Sequence, residues 1–162
     1  MTPTSPGSLP ADAPLRTLPI RLRPGDDLRR ELETLLVRHG ATAAFVLAGI
    51  GSLRTASVRL AGRPEATTIE GDTEVLTLSG SLAPGASHLH VAVADARGHV
   101  VGGHAGYGCI VRTTAEVLLA LLPAWHFSRD PDPATGWDEL SIVPGCAAGP
   151  GAIARLPGPT ER

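Results

Sequence analysis

Ser87-His88-Leu89-His90-Val91, followed after one tight loop by Val101-Gly102-Gly103-His104-Ala105, is the stretch from which the fold is read. Side chains alternate faces along a strand, so His88 and His90 point the same way. Between the two segments, Asp95-Ala96-Arg97-Gly98-His99 has the composition of a hairpin with the three-residue loop Ala96-Arg97-Gly98. Gly98 supplies the left-handed backbone position that such loops need. Pairing then runs Asp95 with His99 and Val93 with Val101, and sets His90 directly opposite His104. A two-residue loop would shift the partner by one position and send His104 to the other face.

In the three-residue register, His90 and His104 sit roughly 5 Å apart at Cβ, with His88 one diagonal step away at about 7 Å. Three neutral imidazoles at that spacing suit zinc or a similar divalent ion and leave one coordination position open. Ala92, Ala94 and Gly102 share the face and leave space beside the rings. The trio has a second reading, as half-buried polar residues in a structural hydrogen-bond cluster. His39, His99 and His126 fall at a helix end, a turn flank and the stretch Trp125-His126-Phe127, where surface or packing roles are expected.

The chain has 162 residues, 43% of them hydrophobic and only 3% aromatic, so one domain with a core of small branched side chains is expected. Net charge is −2, which gives no broad positive field for a phosphate backbone and argues against direct DNA binding. No apolar run approaches the roughly 18 residues of a membrane helix, and no positively charged start leads into an apolar segment. Cys109 and Cys146 are far apart, and a disulfide between them is not expected. A cytoplasmic protein with reduced thiols is the simplest setting.

Residues 1–14 and 144–162 are Pro-, Gly-, Ala- and Ser/Thr-rich and read as disordered tails around a domain at 15–143. Leu18–Leu22 reads as a strand. Asp26 or Asp27 then caps a helix in which Leu28, Leu32, Leu35 and Leu36 recur at helical spacing, and Gly40 ends it. Ala43–Ile50 reads as a buried strand, with the glycines of Gly49-Ile50-Gly51-Ser52-Leu53 turning the chain. Further strands are expected at Ala56–Leu60, Thr67–Ile69, Thr73–Leu82, His88–Ala94, Val100–His104, Cys109–Val111 and Leu140–Val143. A second helix, capped by Thr113 or Thr114 with Glu116 in its first turn, is expected to run to Leu122 before Pro123. The sum is an α+β layout with two short helices on a mostly antiparallel sheet.

In this order, Gly49-Ile50-Gly51-Ser52-Leu53, Glu74-Val75-Leu76-Thr77-Leu78-Ser79-Gly80-Ser81, His88-Leu89-His90 and Val101-Gly102-Gly103-His104 resemble the PPC domain, the plant and prokaryote conserved domain. Downstream, Gly108–Val111, Thr113–Val117 and Arg129 through Asp132 to Thr135-Gly136 and Leu140 look like its bacterial branch. The resemblance implies a sandwich-like α/β domain that forms a homotrimer. It also implies a metal-binding cluster at His88, His90 and His104, zinc first among divalent transition ions. Plant members join the domain to an Arg-Gly-Arg-Pro minor-groove element. Here Ala61-Gly62-Arg63-Pro64-Glu65 keeps only Gly-Arg-Pro, with an acidic residue behind it, and reads as a turn between strands.

Such a centre is open to hydrolysis or a carbonyl-based lyase reaction on a small molecule, and the sequence leaves catalysis undecided. Glu74, Glu116 and Asp95 are the nearest candidates for supporting or proton-transfer work, each with a plainer reading as strand surface, helix start and hairpin flank. Cys109, beside Ile110 and Val111, reads as core rather than nucleophile. Ser52 lacks a triad partner at any telling spacing, and Gly49-x-Gly51 is a poor phosphate loop. The aromatic group Trp125, Phe127 and Trp137 reads as packing under a loop or at a subunit contact. The competing function class is a homotrimeric regulatory or interaction protein, related to DNA only through partners.

Overall fold

In the computed structural model, which describes residues 14–145, the histidine hairpin forms in the expected register. Strand β4 (His88–Asp95) pairs antiparallel with β5 (Val100–Ala105), matching His90 with His104 and Val93 with Val101. The loop closes through hydrogen bonds from Asp95 N to His99 O at 3.0 Å and from Gly98 N to Asp95 O at 2.9 Å. Gly98 sits at φ 82°, the left-handed region that only glycine enters freely.

The remaining elements are β1 (Arg16–Leu22), α1 (Leu28–Arg38), β2 (Ala44–Arg59), β3 (Thr67–Leu82), β6 (Ile110–Leu121), β7 (Trp125–Asp132) and β8 (Trp137–Pro144). The main sheet has the order β1-β6-β2-β3-β4-β5, and β7 and β8 form a separate antiparallel pair. The far end of β2 also pairs with β5, Val58 against Ala105 and Arg59 against His104, so that β2, β3, β4 and β5 close on themselves. β6 and β5 therefore follow each other along one side of β2.

Helix α1 begins at the cap Asp27, whose side chain accepts from Arg30 N, and buries Leu28, Leu32 and Leu36. Those leucines join Leu22, Leu53, Leu78, Leu89, Val91, Val111 and Leu119 in one core. Each such side chain contributes roughly 1.5–3 kcal/mol by leaving water.

Three expectations are corrected. The segment from Thr113 to Leu121 is strand, not helix, and α1 is the one helix among the described residues. β6 lies between β1 and β2 with hydrogen-bonding partners on both sides, a demand that the β-branched run Val111, Thr113, Thr114 and Val117 meets better than a helix would. The glycines at 49 and 51 do not turn the chain, since β2 runs unbroken from Ala44 to Arg59. They permit close approach: a Cβ on Gly51, at φ 149°, would meet Thr114 O at 2.5 Å. Likewise β3 is continuous from Thr67 to Leu82, where two strands were expected.

Trp125–Asp132 adds a strand that the sequence reading did not assign. Phe127 is buried and meets Phe45 edge-on at 5.4 Å between centroids. Trp137, by contrast, is 74% exposed. Residues 1–13 and 146–162, including most of both expected tails and Cys146, lie outside the described residues.

Candidate metal centre

The centre is built from a cross-strand row on the outer side of the closed part of the sheet. Ser79 of β3 faces His90 of β4, His90 faces His104 of β5, and His104 faces Arg59 of β2, while Ser81 faces His88. Leu89, Val91 and Val93 point the other way into the core, which fixes the face that the histidines take. Gly103 makes the row possible: a Cβ there would lie 2.5 Å from the carbonyl oxygen of Arg59, so only glycine lets β5 close onto β2. Gly80 does the same between β3 and β4, where a Cβ would collide with the carbonyl oxygen of His88.

One nitrogen from each of His88, His90 and His104 can be chosen so that all lie within 4.8 Å of one another, with His88 and His104 half-buried and His90 exposed. His88 Nε2 and His90 Nε2 are 3.1 Å apart, close to the ~3.3 Å between imidazole nitrogens that share a tetrahedral zinc at about 2.0–2.1 Å. The rings of His88 and His104 stack at 4.8 Å between centroids, and His90 stands edge-on to both. Burial, then the guanidinium of Arg129, holds His88 below the ordinary imidazole range, with Glu139 acting the other way. Burial, then Arg59, does the same for His104. Lowered values favour the neutral imidazole, which is the ligand form. The donor set fits a divalent transition ion.

Arg29 of α1 supports this arrangement from behind. Its Nη2 donates to Ser87 O at 2.7 Å and its Nη1 to Ala105 O at 3.4 Å, the carbonyls next to His88 and His104. Glu33 accepts from Arg29 Nε at 3.1 Å and from Tyr107 Oη at 2.7 Å, which fixes the guanidinium.

Residues 10–123 match the Plants and Prokaryotes Conserved (PCC) domain. The chain belongs to that family. It is 49% identical over 142 residues to the bifunctional protein GlmU of Synechococcus sp. (strain JA-2-3B'a(2-13)), a match that covers 88% of this chain and 22% of that protein. The chain thus spans about a quarter of the length of the curated relatives it matches. A hypothetical protein from Salmonella cholerae-suis (Salmonella enterica) has a similar structure, with a TM-score of 0.79, 38% identity and coverage of 82% of this chain and 96% of that one. A metal-containing protein from Archaeoglobus fulgidus follows at a TM-score of 0.63 and 28% identity, covering 76% of this chain and 91% of that one.

The other sites weighed in this PCC chain resolve into structural parts. Cys109 is fully buried, its thiol donating toward Ser57 O at 3.4 Å, and burial pushes its pKa up. Ser52 Oγ bonds Thr113 Oγ1 at 2.6 Å, joining β2 to β6. Asp95 serves its own turn, and Glu116 lines a groove with Pro19 and Ile20. The charged groups felt at the histidines are instead Arg59, Arg129 and Glu139. Sequence reasoning passed over these roles because they depend on β2–β5 pairing and on the β7–β8 hairpin, neither of which leaves a local periodic mark.

Proposed function

We propose that this chain is a divalent-metal-binding PCC-domain protein in which His88, His90 and His104 hold the ion, zinc first among the candidates, and that it binds or transforms a small molecule there. The observation that carries the reading is the convergence of three imidazole nitrogens, two of them on groups biased toward the neutral form, in one outward-facing cluster. The metal-containing relative from Archaeoglobus fulgidus supports it. A divalent ion held by three imidazoles supplies Lewis acidity and lowers the pKa of a water ligand toward neutrality.

The protein's own residues contribute position and charge. Arg29 and the two close-approach glycines hold the ligand-bearing strands in phase. Arg59, Arg129 and Glu139 set the field at the site. No helix among the described residues is long and apolar enough to cross a membrane, and a cytoplasmic setting with reduced thiols suits the centre. Elemental analysis of protein purified without added chelator tests the proposal: a stoichiometric transition metal that is lost in His90→Ala supports it, and metal-free protein that takes up none on dialysis against zinc refutes it.

A second reading rests on a different observation. Phe45, Leu47, Ile50 and Leu76 expose apolar side chains on the outer side of β2 and β3. Beside them runs a groove of about 620 Å³ lined by residues that include Pro19, Ile20, Ala48, Ile50 and Leu118. Such a surface suits burial between copies of the chain, and we propose a homotrimer. In this reading assembly is the function, and any DNA-related role passes through partners.

A further inference from the structure

We infer that the histidine centre is an oxyanion receptor: its small-molecule ligand presents a carboxylate or phosphate group, held by Arg59 and Arg129. This rests on the metal-centre reading above and names the class of ligand that the centre takes.

The argument starts from charge balance. All three candidate ligands are imidazoles, so the protein contributes no anionic donor to a divalent ion. Two guanidinium groups, which stay charged at any working pH, stand beside the cluster. Arg59 faces His104 directly across β2 and β5, a pairing that places Cβ atoms about 5 Å apart on one face. Arg129 donates from Nη2 to Ser81 Oγ at 2.9 Å, and Ser81 faces His88 across β3 and β4. Glu139 is the one carboxylate among the charges felt at His88. The centre is therefore positive on a chain whose net charge is −2, and an oxyanion is the ligand that neutralises it.

Geometry agrees with charge. Arg59 uses Nη1 on Arg63 O at 3.3 Å, and Arg129 uses Nε on Ala86 O at 3.4 Å as well as Nη2 on Ser81. Among the described residues, Arg59 Nη2 and Arg129 Nη1 make no protein hydrogen bond, so each arginine is braced by one edge with N–H groups to spare. Guanidinium N–H groups match the paired oxygens of carboxylate and phosphate. Ala92 and Gly102 give the histidine face no bulk that would keep a small ligand away.

The test uses protein loaded with Co(II), whose visible absorption reports its ligands, titrated with inorganic phosphate, acetate and, as a neutral probe, methanol. A saturable spectral change with either anion and none with methanol is expected; phosphate alone or acetate alone then identifies the class. Arg59→Gln should weaken that response at least tenfold with cobalt content unchanged, and Arg59→Lys should restore part of it. Arg129→Gln should act in the same direction, but it also cuts the tie to Ser81, so Arg59 carries the test. A loaded wild type that ignores both anions, or an Arg59→Gln protein that binds them as tightly as wild type, overturns the inference and leaves the metal centre standing. Failure of the wild type to take up cobalt at equilibrium dialysis refutes the metal centre and this inference together.

Discussion

Asp95 governs the loop that puts the histidines in phase. Its Oδ1 accepts from Arg97 N at 2.8 Å and His99 N at 2.9 Å, and its Oδ2 lies 3.1 Å from His99 Nδ1. The backbone N–H of His99 foremost holds this carboxyl below its ordinary value of 3.8. A lowered folded-state pKa means stabilisation that is full above the unfolded value and lost as pH falls through the lower folded one. Amide-exchange protection at Gly98, His99 and Val100 should thus hold from neutrality to about pH 5, fall only below the ordinary aspartate range, and be low at every pH in Asp95→Ala; equal protection in the variant would refute this role. Arg29 acts on the same histidines from the helix side. Arg29→Met removes the two bonds to the carbonyls of Ser87 and Ala105, each from a charged donor and worth about 1.5–3 kcal/mol, together with the bond to Glu33. It should lower metal affinity 10–100-fold, the range seen when groups that support ligands are lost. Competition with a chelator measures this, and unchanged affinity would leave Arg29 a purely structural tie.

The hairpin and the closure of β5 onto β2 are the elements on which the centre depends. Gly103→Ala should separate β5 from Arg59, because its methyl would lie 2.5 Å from that residue's carbonyl oxygen, and should weaken metal binding at least tenfold while α1 and the β1–β6 pairing stay folded. Circular dichroism with a metal titration checks both, and wild-type affinity in that variant would contradict the closure argument. Much of this level was legible in the sequence. The alternation of His88 and His90 with Leu89 and Val91, and a glycine at the third loop position, suffice to set the His90–His104 register. The spacing of Leu28, Leu32 and Leu36 gives α1 in the same way. β6 was not fully legible, because Ala115, Val117, Leu118 and Leu121 also satisfy a helical spacing, and only the two flanking strands decide against it. β7 escaped because Pro131 and the charges around it mask a strand that pairs only with β8. Arg59 gained its place from the β2–β5 pairing, distant in sequence, and Glu139 from the β7–β8 hairpin, and no local periodic pattern records either.

At the scale of the molecule, the outer side of β2 and β3 is as informative as the core. Leu47 is 53% exposed and Ile50 57% exposed, more apolar surface than an isolated small domain gains from showing. If that face joins three copies, the double substitution Leu47→Glu with Ile50→Glu should convert a trimeric mass to a monomeric one by light scattering, because it buries unpaired carboxylates at the contact. An unchanged mass would place the interface elsewhere. The metal centre, on the closed end of the sheet, is the account's central claim, and it rests on three side chains meeting at one point. Equilibrium dialysis against zinc, comparing the wild type with His104→Ala, tests that claim most directly. The expected result is one ion per chain in the wild type and at least a hundredfold weaker binding in the variant, whose circular dichroism matches wild type. Absence of zinc from the wild type, or equal uptake by both proteins, would contradict it.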